Sequence, residues 1–406
     1  MLQQQGEVDM DRISDIPDPI AHHIMSLLTN IDVTKLSILS KRFLFLWGSF
    51  PVIEFDVTNF SGSIPGRYSI SMVNRFLDHI LNSLNLRRLS SSYILSEFRV
   101  NVYPYNIKAD DRFDEAISIV NENGVKMIDL NLGYSEYKLP DTFSSKWCNV
   151  LRLQGFQLDL CKLIRTCPLL RTICLTDCII LKDIKVSSRT LNDVEISRCK
   201  VNCITINAPK LQSFTFNSGY RTFQLGYRSE PCLIDVSKCQ EMTYLSLNNV
   251  VNGKEWIEEH VYTLRKLRTL ILNACRDVQQ IRVSSETLKR LEIIDCPLSS
   301  TTIESSSLEH FVYKGAISNS VCINKFGNTK CIKDMSLEGA FVTDEWLESV
   351  IAILSCLERL RLHGCNQLNE IRVYHEKLKS FELTKCIGLK EADIDTPKLE
   401  SFVYQG

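Results

Sequence analysis

The chain has 406 residues, 44% of them hydrophobic and 23% charged, with a formal net charge of -1 at pH 7. That length exceeds what one ordinary core organises, so it predicts two or three globular domains or one extended array of repeats. The near-neutral balance excludes a general electrostatic pull toward nucleic acid or anionic membrane, and no apolar run approaches the roughly 18 to 20 residues that span a bilayer.

The opening segment, MLQQQGEVDMDRISDIP, has neither a basic nor an apolar stretch, so no secretory signal is expected. The sixteen cysteines are then expected as reduced thiols, in the cytoplasm or the nucleus. Pro17 and Pro19 open an apolar pattern at helical spacing: Ile20, Ile24, Leu27 and Leu28. Ile31 through Leu39 come next, and then SKRFLFLW, so three short helices fit residues 12–50. Residues 61–69 read as a loop. Residues 70–89 read as an amphipathic helix capping the downstream region, which assigns 51–90 to a linker and capping helix.

From about residue 95 onward, within a region taken as 91–406, the apolar pattern L-x-x-L-x-L recurs. Clear copies begin at Leu170, Leu191, Leu211, Met242, Leu267 and Leu288, and continue at Leu308, Ile332, Leu357, Leu378 and Leu399. Weaker copies begin at Leu95, Val125 and Cys148. Six copies place cysteine eight positions after the first apolar residue: Cys178, Cys199, Cys275, Cys296, Cys365 and Cys386. The fourth and sixth positions point to one side of a short strand, and no single unit buries that side alone. Neighbouring units must therefore stack.

A longer period sits above this one, because residues 242–296 align without a gap to 332–386 at an offset of 90. Long units carry helix patterns, GKEWIEEHVYTLRKL and TDEWLESVIAILSCL, with Asn252 and Thr343 or Asp344 as caps. Short units carry LKDIKV, VQQIRV or LNEIRV, each read as a brief strand on the outer side. The last unit, Leu399 to Gly406, stops just after its strand pattern, so further chain, a partner or a second copy is expected over that edge.

The pattern L-x-x-L-x-L-x-x-C resembles the leucine-rich-repeat consensus. Residues 12–50 resemble an F-box: its Leu-Pro opening appears as Ile16-Pro17, and its S-K-R-W and Leu-Trp as Ser40-Lys41-Arg42-Phe43 and Leu46-Trp47. Phe43, Ile16 and Thr29 depart from that pattern, which has Trp, Leu and often Pro there. The whole chain looks like a plant-type F-box/leucine-rich-repeat protein. The fold class this implies is α/β: a three-helix F-box, then a curved leucine-rich-repeat solenoid with a parallel sheet on its concave face.

The resemblance also implies a non-catalytic substrate receptor of an SCF (Skp-cullin-F-box) ubiquitin ligase. Its partners would be a Skp-type adaptor and, through it, a cullin, together with a target protein, and it would use no cofactor. Ile16, Pro17, Ile20, Ile24, Leu36, Leu39 and Trp47 are the candidate adaptor anchors, since so short a helical motif cannot bury every apolar group itself. The concave face, where the resemblance places the target, would present Asp193, Glu195, Tyr244, Asn248, Arg290, Glu292, Arg359, Arg361 and His363, acidic in the middle and basic near the C-terminal end. A non-degradative repeat-based interaction scaffold and a small-ligand sensor using the concave repeat surface are the alternatives.

Other chemistries find little support. No C-x-x-C pair suggests zinc, and spacings such as Cys199 to Cys203 and Cys161 to Cys167 are wider than that motif. No nucleophile signature or phosphate loop occurs. His22 and His23 read as surface or interface packing residues of the first helix. Leu86-Arg87-Arg88 and the basic stretch ending at Lys266 read as solvated helix ends, so neither nucleic acid nor membrane is expected as a partner.

Overall fold

A computed structural model describes residues 15–60, 70–88, 95–103, 107, 109–181, 183–199, 201–219, 232–250, 254–275, 278–315, 322–327 and 329–406. The expected loop at 61–69, the Asn252 cap and residues 12–14 of the helical motif lie outside these. The chain divides into two compact units, 1–158 with 165–170, and 159–164 with 171–406.

The first unit opens with three helices, α1 (Asp18–Ser26), α2 (Asn30–Leu36) and α3 (Lys41–Ser49). Each start is chemically marked. Pro17 precedes α1, where a missing N–H costs nothing. Thr29 caps α2 by accepting from the Asp32 N–H at 3.3 Å, and Ser40 caps α3 by accepting from the Phe43 N–H at 3.2 Å. Thr29 thus fills the position of the absent proline with a helix cap of its own. Arg42 donates to the Ile16 carbonyl and, at 3.1 Å, to Asp18 Oδ1, tying α3 to the start of α1.

After α3 the strand Val52–Asp56 pairs in parallel with Glu97–Asn101, joined in the same sheet by Met127–Asn131 and Val150–Gln154. The expected linker therefore supplies a sheet strand, a correction to the reading of 51–90. Helix α4 (Val57–Phe60) comes next, then α5 (Ile70–Arg88) and α6 (Asp111–Glu122). The expected helix at 70–89 is α5, but it packs beside α6. Arg112 clips the two together, donating to Asp78 Oδ1 and Asn74 Oδ1, both at 2.9 Å. Arg87 is also not a solvated helix end: it is 4% exposed, stacks 4.3 Å over the Trp47 ring and donates to the Phe50 carbonyl at 2.9 Å.

The remaining helices are α7 (Leu160–Thr166), α8 (Lys254–Thr263) and α9 (Asp344–Ile353). The second unit is a parallel-sheet solenoid. Among its described residues eleven main strands pair in sequence order, from Thr172–Thr176 to Ser401–Gln405. The second and fourth residues of each strand point inward, and Phe214, Leu270, Leu291, Phe311 and Leu360 are almost fully buried. At roughly 1.5–3 kcal/mol per large apolar side chain, this column is the principal stabilising force. The predicted outer strands appear at Ile184–Ser187, Gln280–Ser284 and Glu370–Tyr374. The 90-residue period is realised element by element, α8 by α9 and Thr269–Asn273 by Arg359–His363. Thr343 caps α9, accepting from the Trp346 N–H at 3.3 Å.

The repeat cysteines bind turn to turn. Cys296 Sγ donates to the Leu272 carbonyl and Cys365 Sγ to the Leu337 carbonyl, both at 3.7 Å, one turn earlier. Away from the repeat position, burial pushes the Cys232 and Cys148 thiols up to about 12. The residue just before the repeat cysteine position takes the left-handed conformation, at Asp177, Arg198, Ala274, Asp295 and Lys385, and at Gly339 and Gly364. Alanine has neither glycine's freedom nor a side chain that bonds locally. Ala274→Gly is therefore expected to raise stability by about 1 kcal/mol, read as a higher denaturant midpoint; an unchanged or lower midpoint would refute this.

Just before the strands, opposite charges alternate in six consecutive turns: Lys289, Glu309, Lys333, Glu358, Lys379 and Glu400. Glu309 binds Lys289 at 2.7 Å and Lys333 at 2.9 Å, and Lys379 binds Glu358 at 3.1 Å. These two lysines hold the Glu309 carboxyl down to about 2.

His260, on α8, breaks the internal period, since Val350 stands at the matching place on α9. It is 5% exposed and stacks on Trp256 with ring centres 4.0 Å apart, Nδ1 donating to the Trp256 carbonyl at 2.9 Å. Burial lowers its pKa from the ordinary 6.5, against the opposing pull of the Trp256 carbonyl and Asp235. The folded state thus takes up a proton less readily than the unfolded chain. Stability is full above about pH 6.5 and falls on acidification below it. His260→Val is expected to flatten that part of a stability-versus-pH curve, and an unchanged slope would count against the assignment.

Candidate docking surfaces

The three N-terminal helices close a core of their own from Ala21, Met25, Val33, Phe43, Leu46, Trp47 and Phe50. On α3 the buried residues Phe43, Leu46 and Trp47 fall at i, i+3 and i+4, one helical face. His22 completes this packing, its Nε2 lying 3.2 Å from both the Leu46 carbonyl and the Ser49 hydroxyl.

What remains outside is strongly apolar. Of the seven candidate anchors, Ile20 is 52% exposed, Ile24 40% and Leu39 67%, and Pro17 is also exposed. Ile16 and Leu36 are partly buried against the core. Trp47, at 7% exposure, belongs to the interior. Its ring is held between the helix core and Arg87, so it supports the surface from beneath and is withdrawn as an anchor. Sequence reasoning missed Ile38, 82% exposed, together with Leu44 and Phe45. The run FLFLW carried the signal, because five successive apolar residues on one helix cannot share one buried face.

Beside these helices lies a cleft of about 660 Å³, with Leu28, Val33 and Ile38 among its apolar walls and Lys35, Glu54 and Arg99 among its polar ones.

In the second unit, all nine candidate target residues fall at the first, third or fifth position of main strands, the positions that face outward. Registered pairing sets Tyr244 beside Thr269, Arg290 beside His310, and Asp334 beside Arg359. The expected basic cluster at Arg359, Arg361 and His363 is therefore not an open cationic patch. Arg359 binds Asp334 at 3.1 Å, Arg361 lies 3.5 Å from Asp334 and 3.4 Å from Glu382, and His363 Nδ1 lies 2.7 Å from the Thr384 hydroxyl. The neighbouring strands supply the missing negative charge. Arg290 and Glu292 pair with each other at 2.5 Å. Asp193 sits beside Thr172, whose hydroxyl is 3.3 Å from Asp193 Oδ2, while Glu195 is exposed. Tyr244 and Asn248 occupy the two ends of one strand's outward edge.

Comparison with known families assigns both parts. A family model of the F-box domain matches residues 13–55, and the leucine-rich-repeat domain described as At1g61320/AtMIF1, LRR domain, matches 322–406. The chain carries an F-box followed by leucine-rich repeats. Its relatives in Arabidopsis thaliana include F-box/FBD/LRR-repeat protein At5g56420, 26% identical over 67% of this chain and 64% of the relative. F-box/FBD/LRR-repeat protein At2g26030 is 30% identical over 30% of this chain and 24% of the relative. F-box/LRR-repeat protein At3g59200 is 27% identical over 36% of this chain and 27% of the relative. In each case the match spans less than two thirds of the relative's own length. The F-box match reaches into the strand Val52–Asp56, so the F-box and the first sheet strand share one segment of chain. The exposed apolar side chains of α1 and the α2–α3 junction thus lie in the segment that matches the F-box, and the last strands of the registered polar face lie in the segment that matches the leucine-rich-repeat domain.

Proposed function

We propose that this chain is the substrate-recognition subunit of an SCF-type ubiquitin ligase. Its F-box docks a Skp-type adaptor, the adaptor joins it to a cullin, and the outward face of the repeats holds a target protein. The observation that carries the reading is that the F-box core is complete without Ile20, Ile24, Ile38 and Leu39, yet these side chains stay in water. Apolar groups left exposed by a closed core mark a protein interface. The chain itself supplies position and no nucleophile, raising the local concentration of target lysines beside a ubiquitin-charged enzyme carried by other subunits. It acts in the nucleus or cytoplasm.

The test is co-purification of the full chain with a Skp-type adaptor and a cullin, together with target turnover in cells. Turnover that disappears when Ile16 and Pro17 are replaced supports the reading. A stable complex whose bound proteins keep their lifetimes would instead make the chain a non-degradative scaffold. The cleft beside the F-box helices favours one second reading, a small-ligand sensor, because its volume falls in the range of ligand pockets. Saturable thermal stabilisation by a small molecule would support it, and a flat screen across hormones and inositol phosphates would oppose it.

A further inference from the structure

We propose that the outward face of the second unit's sheet takes an extended target segment bearing a basic side chain and, four to seven residues away, an aliphatic or aromatic one. This inference rests on the reading that the repeats hold the target.

Charge separates the two ends of the contact. The arginines and Lys314 on this face are matched within it: Arg290 by Glu292, Lys314 by Glu338 at 2.9 Å, Arg359 by Asp334, and Arg361 by Asp334 and Glu382. Asp193 and Glu195 are different, because among the described residues no cation pairs with either. Two carboxylates on one strand, two positions apart and facing the same way, give the face local negative charge that no cation of the described residues offsets and that a partner's cation would balance.

The other end is apolar. Ile271 and Val312 stand at the middle outward position of their strands, on either side of Glu292 in the pairing order, and Ile294 stands at the last such position of the strand between them. All three are half-buried, and their outward neighbours on the adjoining strands are polar groups such as Ser246, Glu292 and Ser336. Apolar side chains ringed by polar ones are the arrangement that anchors a partner. Between this island and the carboxylates lie uncharged strands presenting Ser213, Thr215, Tyr244 and Ser246.

Both edges of each intervening strand are already paired, so the target cannot join the sheet as another strand. It must lie across the strands, with hydroxyl side chains bonding its main chain. Three strand steps separate Glu195 from Ile271 and five separate it from Val312. At about 4.8 Å per step this is roughly 14 to 24 Å, or about four to seven residues of extended chain.

The test uses the full chain, tagged, co-purified with a Skp-type adaptor and challenged with a displayed library of random linear peptides. Selected sequences are expected to pair Lys or Arg with an aliphatic or aromatic residue at that spacing. Asp193→Lys with Glu195→Lys should abolish the basic preference, Ile271→Asp should abolish the apolar one, and each should weaken a synthetic selected peptide by roughly tenfold or more. Adaptor binding should be unchanged in both variants, and an unchanged thermal midpoint of the full chain shows that the repeats carrying the substitutions still fold. Acidic or phosphorylated selected peptides, a basic preference that survives the lysine substitutions, or no enrichment by adaptor-bound chain overturns the inference and leaves the receptor reading standing. Failure of the wild-type chain to bind any Skp-type adaptor overturns the receptor reading and this inference with it.

Discussion

Gly155→Ala is expected to destabilise the first unit by about 2–4 kcal/mol, combining a forbidden backbone conformation with a direct clash. Gly155 has a φ of +81°, and a β-carbon there would stand 2.5 Å from the Gly133 carbonyl oxygen and 3.2 Å from the Ser135 nitrogen. Those atoms are backbone, so no side chain can swing aside. Gly155 also uses its carbonyl to accept from the Tyr137 N–H at 2.9 Å, which fixes the turn against any shift. Gly339 provides the control. Its φ is +59°, but the nearest atom to an added β-carbon is the Gly315 carbonyl oxygen at 3.8 Å. Gly339→Ala should therefore cost only the backbone part, about 1 kcal/mol. Equal losses in denaturant midpoint for the two variants would show that the clash at Gly155 is relieved by movement.

A second large effect is expected at the F-box. Ile20→Glu combined with Leu39→Glu should weaken binding of a Skp-type adaptor a hundredfold or more, at roughly 2 kcal/mol for each anchor lost. Both side chains are more than half exposed, so the helices should form normally. Trp47→Ala should also reduce adaptor binding, by a different route. It empties the F-box core beneath Arg87, at about 3–5 kcal/mol for a buried tryptophan, and should lower the thermal midpoint first. Calorimetric titration with the adaptor, beside thermal melts of the same full-length proteins, separates the two. A double variant that binds like the wild type would remove Ile20 and Leu39 from the interface. A Trp47→Ala protein that melts normally but binds weakly would return Trp47 to it.

The parts legible in the sequence are those governed by short periods. The repeat pattern announced the main strands from Thr172 onward, and the 90-residue offset announced that α8 and α9 would match. The strand Val52–Asp56 escaped because Pro51 stands ahead of it, with no leading leucine, and its alternation is short, from Ile53 to Val57. The first unit's strands at Glu97, Met127 and Val150 were seen only weakly, yet they pair with one another in unbroken register. The fate of Trp47 was open to helical spacing: Phe43, Leu46 and Trp47 share a face that Leu44 and Phe45 do not. Arg87 could not be read, since its partners lie 37 to 40 residues away. The ion pairs of the outward face, such as Arg359 with Asp334 some 25 residues earlier, become visible only once strand register is known.

The alternating column from Lys289 to Glu400 carries a rule of parity. Excising or copying a single coil within it would bring like signs into apposition, while a change of two coils would leave every neighbour opposite. The 90-residue offset carries Lys289 onto Lys379 across four coils, an even number. Growth of such an array by duplication is thus electrostatically silent in pairs and penalised in singles.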